Sequence, residues 1–296
     1  MASRKFFGGW KRQRPDHRDW RFTVSRRVTS QLPTQMDLSA NMPPQLNQGS
    51  LGSCGPNSAD ECIEYDDRVQ GMSVTSASRL FIYWVTRSLM SGSPINKDSG
   101  VDNRTMLKAV AQYGYCAESM WPYDVAKFTQ KPPAACFAAA LANRIQSYAA
   151  VEQDLDQMRG CIASGFPFVF GFDVFSSFMS DEVAATGVVP MPGTTPGDHQ
   201  VGGHDITFFG YDDSTRMFKF RNHWLNEDGT PWGDNGNGYF PYDYALGQFA
   251  SDFWVINAVP SEPTPASPAA AAVEVGFSGV LTFSNGLLVS SQPSSV

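Results

Sequence analysis

Apolar residues recur at helical spacing through the first half of the chain and at strand spacing through the second. Ala59, Cys62, Ile63 and Val69 share one face of a helix that begins near Cys54; Pro56 falls in its first turn, where a missing N–H costs nothing. The run from Ser78 to Met90 is apolar nearly all round, which predicts a buried helix ended by Gly92 and Pro94. Further helices are predicted over Val101–Tyr113, closed by Gly114, and over Asp154–Ser164. Pro167–Asp173 then reads as a buried strand, followed by strands over Asp205–Tyr211, Met217–Arg221, Gly238–Phe240 and Phe253–Asn257, with Asp/Ser and Gly/Asn turns between them. Helices followed by strands define an α+β architecture, with a crevice between the two halves as the natural place for a site.

Punctuation sets the organisation. Pro33, Pro43 and Pro44 make residues 31–50 an extended lead-in, so that one domain is expected over residues 31–259. Residues 260–275 have the Pro/Ala/Ser/Glu composition of a linker, and residues 276–296 form a tail with a hairpin signal at Asn285-Gly286. Two strands alone are marginal in water, so the tail is expected to dock on another protein or stay mobile.

Charge divides the chain differently. Its net −7 argues against general nucleic-acid binding, yet residues 1–30 hold nine Lys or Arg against Asp16 and Asp19, a balance of +7 that leaves −14 on the remainder. Such a basic arm can be solvated, docked on its own acidic body or bound to an external polyanion. Five cysteines, an odd count without regular spacing, give no disulfide framework. The N-terminus has no apolar signal core, and no later stretch reaches the ~18 apolar residues of a membrane span. The expected setting is intracellular or inside a viral particle, without a membrane partner.

The chemistry gathers around Cys54. Gln48 stands six residues before it in Gln48-Gly49-Ser50-Leu51-Gly52-Ser53-Cys54, so a side-chain amide and the Cys54 backbone N–H can face one oxyanion. A helix N-terminus and a neighbouring imidazolium both favour the thiolate, the form that attacks a carbonyl. Of four histidines, His204 alone opens a long apolar strand behind two glycines, Gly202 and Gly203, which let the backbone pass close to a nucleophile from the other half. Asn222 can orient that imidazole and Trp224 can shield the bond, although each also reads as an ordinary strand-end or core residue. Asp198, His199 and His204 lack a recognised metal spacing, so neither metal nor cofactor is expected.

Gln48, Gly52-Ser53-Cys54, Gly202-Gly203-His204, Arg221-Asn222-His223-Trp224, Trp232-Gly233-Asp234 and Gly238-Tyr239 follow one another in the order of the papain family of cysteine peptidases. Tyr113-Gly114, Trp121-Pro122-Tyr123 and Thr186–Pro190 resemble its short prokaryotic and viral branch. The resemblance implies a helical N-terminal subdomain, an antiparallel β-barrel-like C-terminal subdomain and an active-site cleft between them. It also implies an endopeptidase acting on polypeptides, with Cys54 as nucleophile, His204 as base and acid, Asn222 as its orienting residue and Gln48 in the oxyanion hole. Asp98, Ser99, Gly100 and Trp224 would line the substrate groove. The chain departs from the family pattern at Leu51 and Gly55, and at His223 and Leu225 where Ser and Gly are common. His223 is expected to point away from Asn222. The alternative is a catalytically impaired papain-fold module used for binding or particle structure. In place of a long prosegment, the stretch Pro15–Trp20 is expected to lie over the acidic body and limit access.

Overall fold

The structure, a computed structural model, describes residues 8–256 and, beyond them, the backbone of three short strands. The N-terminal region contributes β1 (Arg21–Val24), α1 (Arg26–Thr29) and β2 (Gln35–Asp37). Helices α2 (Cys54–Val69), α3 (Arg79–Leu89), α4 (Asn103–Tyr113) and α5 (Ala134–Ala140) follow, then β3 (Tyr148–Val151) and α6 (Leu155–Ala163). The second half holds β4 (Phe168–Phe175), α7 (Asp181–Thr186), β5 (Gln200–Asp212), β6 (Met217–Arg221), β7 (Asn237–Pro241), α8 (Tyr242–Ala245) and β8 (Ala250–Ile256). The last strands are β9 (Val275–Phe277), β10 (Val280–Ser284) and β11 (Leu287–Gln292).

Local chemistry sets the helix ends. Ser78, Asp102 and Asp154 cap α3, α4 and α6, their side-chain oxygens accepting from the N–H groups of Phe81, Thr105 and Gln157. α4 stops at Gly114, whose φ of 73° and position 1.8 Å from the Ala140 carbonyl oxygen, measured from where a Cβ would stand, admit glycine alone. α2 differs from its single-stripe reading. Val69 is exposed, while Asp60, Glu61, Glu64, Asp66 and Asp67 are buried along with Ala59, Cys62 and Ile63. The helix is enclosed by α3, α4 and three strands, and buried carboxylates are tolerated where donors meet them. Asp60 accepts from the Ala77 N–H at 2.6 Å, Asp67 from Thr75 at 3.1 Å, and Glu64 pairs with Arg68 at 3.0 Å.

The strands form one sheet in the order β7-β6-β5-β4-β8-β3-β1-β9, with β2 added to β5. All its pairings are antiparallel except β1 with β3. The halves are therefore less segregated than the hydrophobic pattern suggests, since β1 and β2 come from the first forty residues. Strand β4 lies at the centre and is covered on both faces, which explains its unbroken apolar run. Phe168, Phe170 and Phe172 pack with Phe208 and Phe240 on one side, the Phe170 and Phe208 rings stacking at 4.0 Å. Val169 joins Trp254, Ile256 and the residues of α2, α3 and α4 on the other. The expected linker lies outside the described residues up to Val275, as does the Asn285-Gly286 turn; β10 pairs antiparallel with β11. Among the described residues no helix is long and apolar enough to cross a membrane.

Candidate active site

Cys54 is the first residue of α2, and the loop before it is braced from several sides. The Gln48 N–H donates to the His223 carbonyl at 2.9 Å, and the Gly52 N–H donates to Asp98 Oδ2 at 2.9 Å. Tyr83 donates its hydroxyl to the other oxygen of Asp98, and Tyr123 donates to the Gln48 carbonyl at 2.8 Å. The Gln48 side chain is buried, with Nε2 donating to the Leu51 carbonyl at 2.9 Å. Asp98 thus supports the loop, while Gly100 presents its backbone to the cleft; the Ser99 hydroxyl turns to the Gly100 carbonyl.

His204 arrives from the other half on β5, paired with Phe172 of β4. Its Nε2 lies 2.9 Å from Asn222 Oδ1, which also accepts from the His223 N–H at 2.9 Å. An amide oxygen can only accept, so Nε2 carries the proton and Nδ1 is the lone-pair nitrogen. That Nδ1 is buried without a hydrogen-bond partner. Trp224 stacks on the imidazole at 4.4 Å, with the planes 21° apart, and keeps water from the bond to Asn222.

The N-terminal arm runs through this cleft. Val101 N–H donates to the Gly9 carbonyl at 2.7 Å and Lys11 N–H to the Val101 carbonyl at 2.9 Å, a parallel pairing of Trp10 with Val101. Trp10 N–H reaches the Gly203 carbonyl at 3.4 Å, and the indole fills a slot against Gly171 and Gly203. Arg12 meets Asp173 at 3.3 Å, Gln13 Oε1 accepts from the Arg104 N–H and the Trp254 indole, and Asp19 is paired with Arg104. The charge pattern predicts Pro15–Trp20 over the body; the segment in the cleft is the uncharged Gly8-Gly9-Trp10, because a narrow groove between backbones admits glycine and a flat ring more readily than hydrated cations.

Burial opposes ionisation of the thiol. Burial, then the Asp205 carboxylate, push Cys54 up to about 12, against the backbone N–H groups of Asp205, Gly9 and Gly55 that face it. His204 is lowered to about 3, by burial first and by His223 second, with the bond to Asn222 acting the other way. Burial thus opposes the thiolate that the helix terminus and the surrounding N–H groups favour. His223 is fully buried, its ring 6.1 Å from that of His204 and its Nε2 3.1 Å from Glu61 Oε2 of α2. Glu61, Asp205, Asp252 and Trp10 escaped the reading of the sequence; the juxtaposition of Glu61 one helix face below Cys54, seven residues on, is the only local signal among them. Asp198, considered beside His199 and His204, is taken up by Ser176, Ser177 and the Gly193 N–H.

A cysteine at a helix N-terminus and a buried, strand-borne histidine hydrogen-bonded to an asparagine, in an α+β scaffold of this topology, are the features of a papain-like hydrolase. The chain belongs to the papain-like (C1) family of cysteine peptidases. It is 32% identical over 287 residues to an uncharacterized peptidase C1-like protein of Acanthamoeba polyphaga mimivirus, covering 87% of this chain and 88% of that one. The fold matches xylellain, a cysteine protease from Xylella fastidiosa, with a TM-score of 0.77 and 34% identity over 88% of this chain and 98% of that one. A cysteine protease of Carica candamarcensis, solved in complex with E-64, shares the fold with a TM-score of 0.56 at 19% identity over 76% of this chain and 98% of that one. No family model matches the chain.

Proposed function

We propose that the protein is an endopeptidase in which Cys54 attacks the peptide carbonyl, His204 moves the proton and Asn222 orients His204. The observation that carries this reading is the His204 Nε2 to Asn222 Oδ1 contact of 2.9 Å under Trp224, which leaves Nδ1 as the one basic nitrogen of the ring. His204 Nδ1 takes the thiol proton, the thiolate adds to the carbonyl carbon, and the oxyanion is met by the Cys54 N–H and Gln48 Nε2, whose amide carries two hydrogens. The imidazolium protonates the departing amine, water enters in its place, and the thioester is hydrolysed with His204 as base. A cavity of about 470 Å³ lined by Gly49, Ser50, Phe178, Trp224 and Leu225 shares none of its lining with the Trp10 slot, which supports binding of substrate on both sides of Cys54 and hence cleavage within a chain.

The buried thiol favours one competing reading, a papain-fold module that binds without cleaving. Alkylation decides between them. Full chain carrying Trp10→Ala is treated with a small cysteine-directed electrophile and assayed on an internally quenched peptide blocked at both ends. One thiol reacting far faster than the rest, lost together with cleavage in an added Cys54→Ala change, is the expected result. Reaction of Cys54 no faster than that of Cys116 or Cys136 selects the binding module.

A further inference from the structure

Asn222 and His223 follow β6 directly, and their side chains go to different halves of the site. Asn222 turns to His204, its Oδ1 2.9 Å from the imidazole Nε2; His223 turns to α2, its Nε2 3.1 Å from Glu61 Oε2, with both of those side chains fully buried. The His223 backbone is engaged as well. Its N–H donates to Asn222 Oδ1 at 2.9 Å, and its carbonyl accepts from the Gln48 N–H at 2.9 Å. One residue therefore touches the group that holds His204, the loop that carries Gln48 and the helix that carries Cys54. The residues around it bind a different part of the chain. Gln45 Nε2 donates to the Asn222 and Trp224 carbonyls at 3.1 and 2.7 Å, and Arg221 donates to the Pro43 carbonyl at 2.8 Å. Those bonds fasten residues 221–224 to the extended lead-in, and none of them reaches α2.

The contact between His223 and Glu61 does reach it, and a serine, common at this position in the family, would be too short to do so. Glu61 stands seven residues after Cys54, two helical turns on and about 10 Å along the axis, on the same face. A contact at that point fixes the rotation of α2 and its height against β5, and with them the aim of Cys54 at the ring that Asn222 holds. The pair is also unforgiving of displacement. Away from water a polar contact is strengthened, and either partner moved off the other stays unsolvated. We propose that Glu61 and His223 are positioning residues for the peptidase reaction: the pair fastens the Cys54 helix to the segment that bears Asn222, so that nucleophile and base keep one alignment across the two halves. This rests on the peptidase reading given above.

Full chain carrying Trp10→Ala serves as the parent on the internally quenched peptide. It is compared with forms that add His223→Leu, Glu61→Leu, both of these together, His223→Gln or Glu61→Gln. His223→Gln puts an amide nitrogen near the place of Nε2, and Glu61→Gln keeps an acceptor opposite it. Each single leucine substitution lowers kcat by about ten- to a hundredfold with KM nearly unchanged, as a misplacement on the order of 1 Å of groups that must align in the transition state requires. The double leucine substitution strands no polar group and melts near the parent, yet it stays as slow as the single ones, whereas each glutamine substitution keeps most of kcat. A purely structural pair gives the opposite result, kcat returning with Tm in the double substitution, and that result overturns the inference. So do glutamine substitutions no faster than the leucine ones, or a loss confined to KM. Cleavage by the parent with indifferent pair variants leaves the peptidase reading standing, whereas an inactive parent with an unreactive Cys54 overturns both.

Discussion

Replacing Trp10 by alanine unlocks the cleft. The indole is 7% exposed and anchors a segment otherwise held by three backbone hydrogen bonds, one of them long at 3.4 Å. Truncating a buried tryptophan removes about 3–5 kcal/mol from the state that buries it. That shifts the ratio of docked to undocked arm by about two to three and a half decades. The rate of Cys54 alkylation rises by the same factor until the undocked form predominates, and kcat/KM on a quenched peptide rises in parallel. Because the indole is held by apolar and backbone contacts and by a part-buried hydrogen bond to Asp252, and carries no charge itself, the gain depends little on salt; the Arg12–Asp173 pair is largely exposed and worth about 0–1 kcal/mol. Alkylation is followed by mass spectrometry at 0.05 M and 0.5 M salt, concentrations that bracket a Debye length of about 10 Å. An unchanged alkylation rate in Trp10→Ala, or a wild-type rate that climbs tenfold with salt alone, refutes the reasoning: the first removes the steric lock and the second makes it electrostatic.

Gly171→Ala reaches the same end from the opposite wall, since its Cβ would fall 1.9 Å from the indole; alkylation of Cys54 accelerates, while peptides with bulky residues at the slot lose kcat/KM relative to those with small ones. Asp205 is raised to about 8 by burial, above the unfolded carboxylate, so the folded state binds the extra proton and stability is lost as pH rises from about 4 to about 8. Asp252, raised to about 6 by burial, acts in the same sense below that pH, and His204, lowered to about 3, acts in the opposite sense as pH falls from about 6.5. Between about pH 6.5 and 8 Asp205 alone of the three titrates, and Tm of Asp205→Asn falls less steeply there than that of the wild type, the remaining slope coming from buried Asp60, which is raised as well; an equal slope in the two sinks the assignment. Glu61→Leu or His223→Leu alone costs about 1–3 kcal/mol in urea denaturation because each leaves a buried polar group without its partner, and the double change recovers most of it. Additive losses in that cycle show the pair to be uncoupled.

The fold was readable where one rule decided the outcome. The buried runs of α3 and β4 announce themselves because elements covered on both sides need apolar residues at every position, and caps at Ser78, Asp102 and Asp154 mark helix starts by local hydrogen bonding. β1, β2 and β3 span only three or four residues each, too few for a period to stand out, and their pairing is decided by strands more than a hundred residues away. The acidic side of α2 reads as a solvated face for the same reason: its partners at Ala77, Thr75 and His223 are supplied by tertiary structure. Helix periodicity records polarity, and polarity equals exposure only where no donor arrives from elsewhere.

The candidate site divides along the same line. Cys54, His204 and Asn222 stand out because glycines, order and spacing give each a local context, and the structure brings His204 and Asn222 within a hydrogen bond. Trp10 and Asp252 have no such context, being 242 residues apart and joined by one bond from the indole to a carboxylate on a bulge. The arm is rich in cations, yet of those only Arg12 reaches a carboxylate beside the cleft, while Gly9 and Trp10 occupy it. Occupancy of a groove between two backbones is governed by shape, and a glycine pair followed by tryptophan supplies the two shapes needed, a chain thin enough to pass Gly52 and Gly100 and a ring flat enough to lie on Gly171. The charged residues that follow then fix the exit of the arm: Asp19 pairs with Arg104, and Arg21 meets Glu152 where β1 enters the sheet. Charge therefore sets where the arm leaves the cleft, and shape sets what closes it.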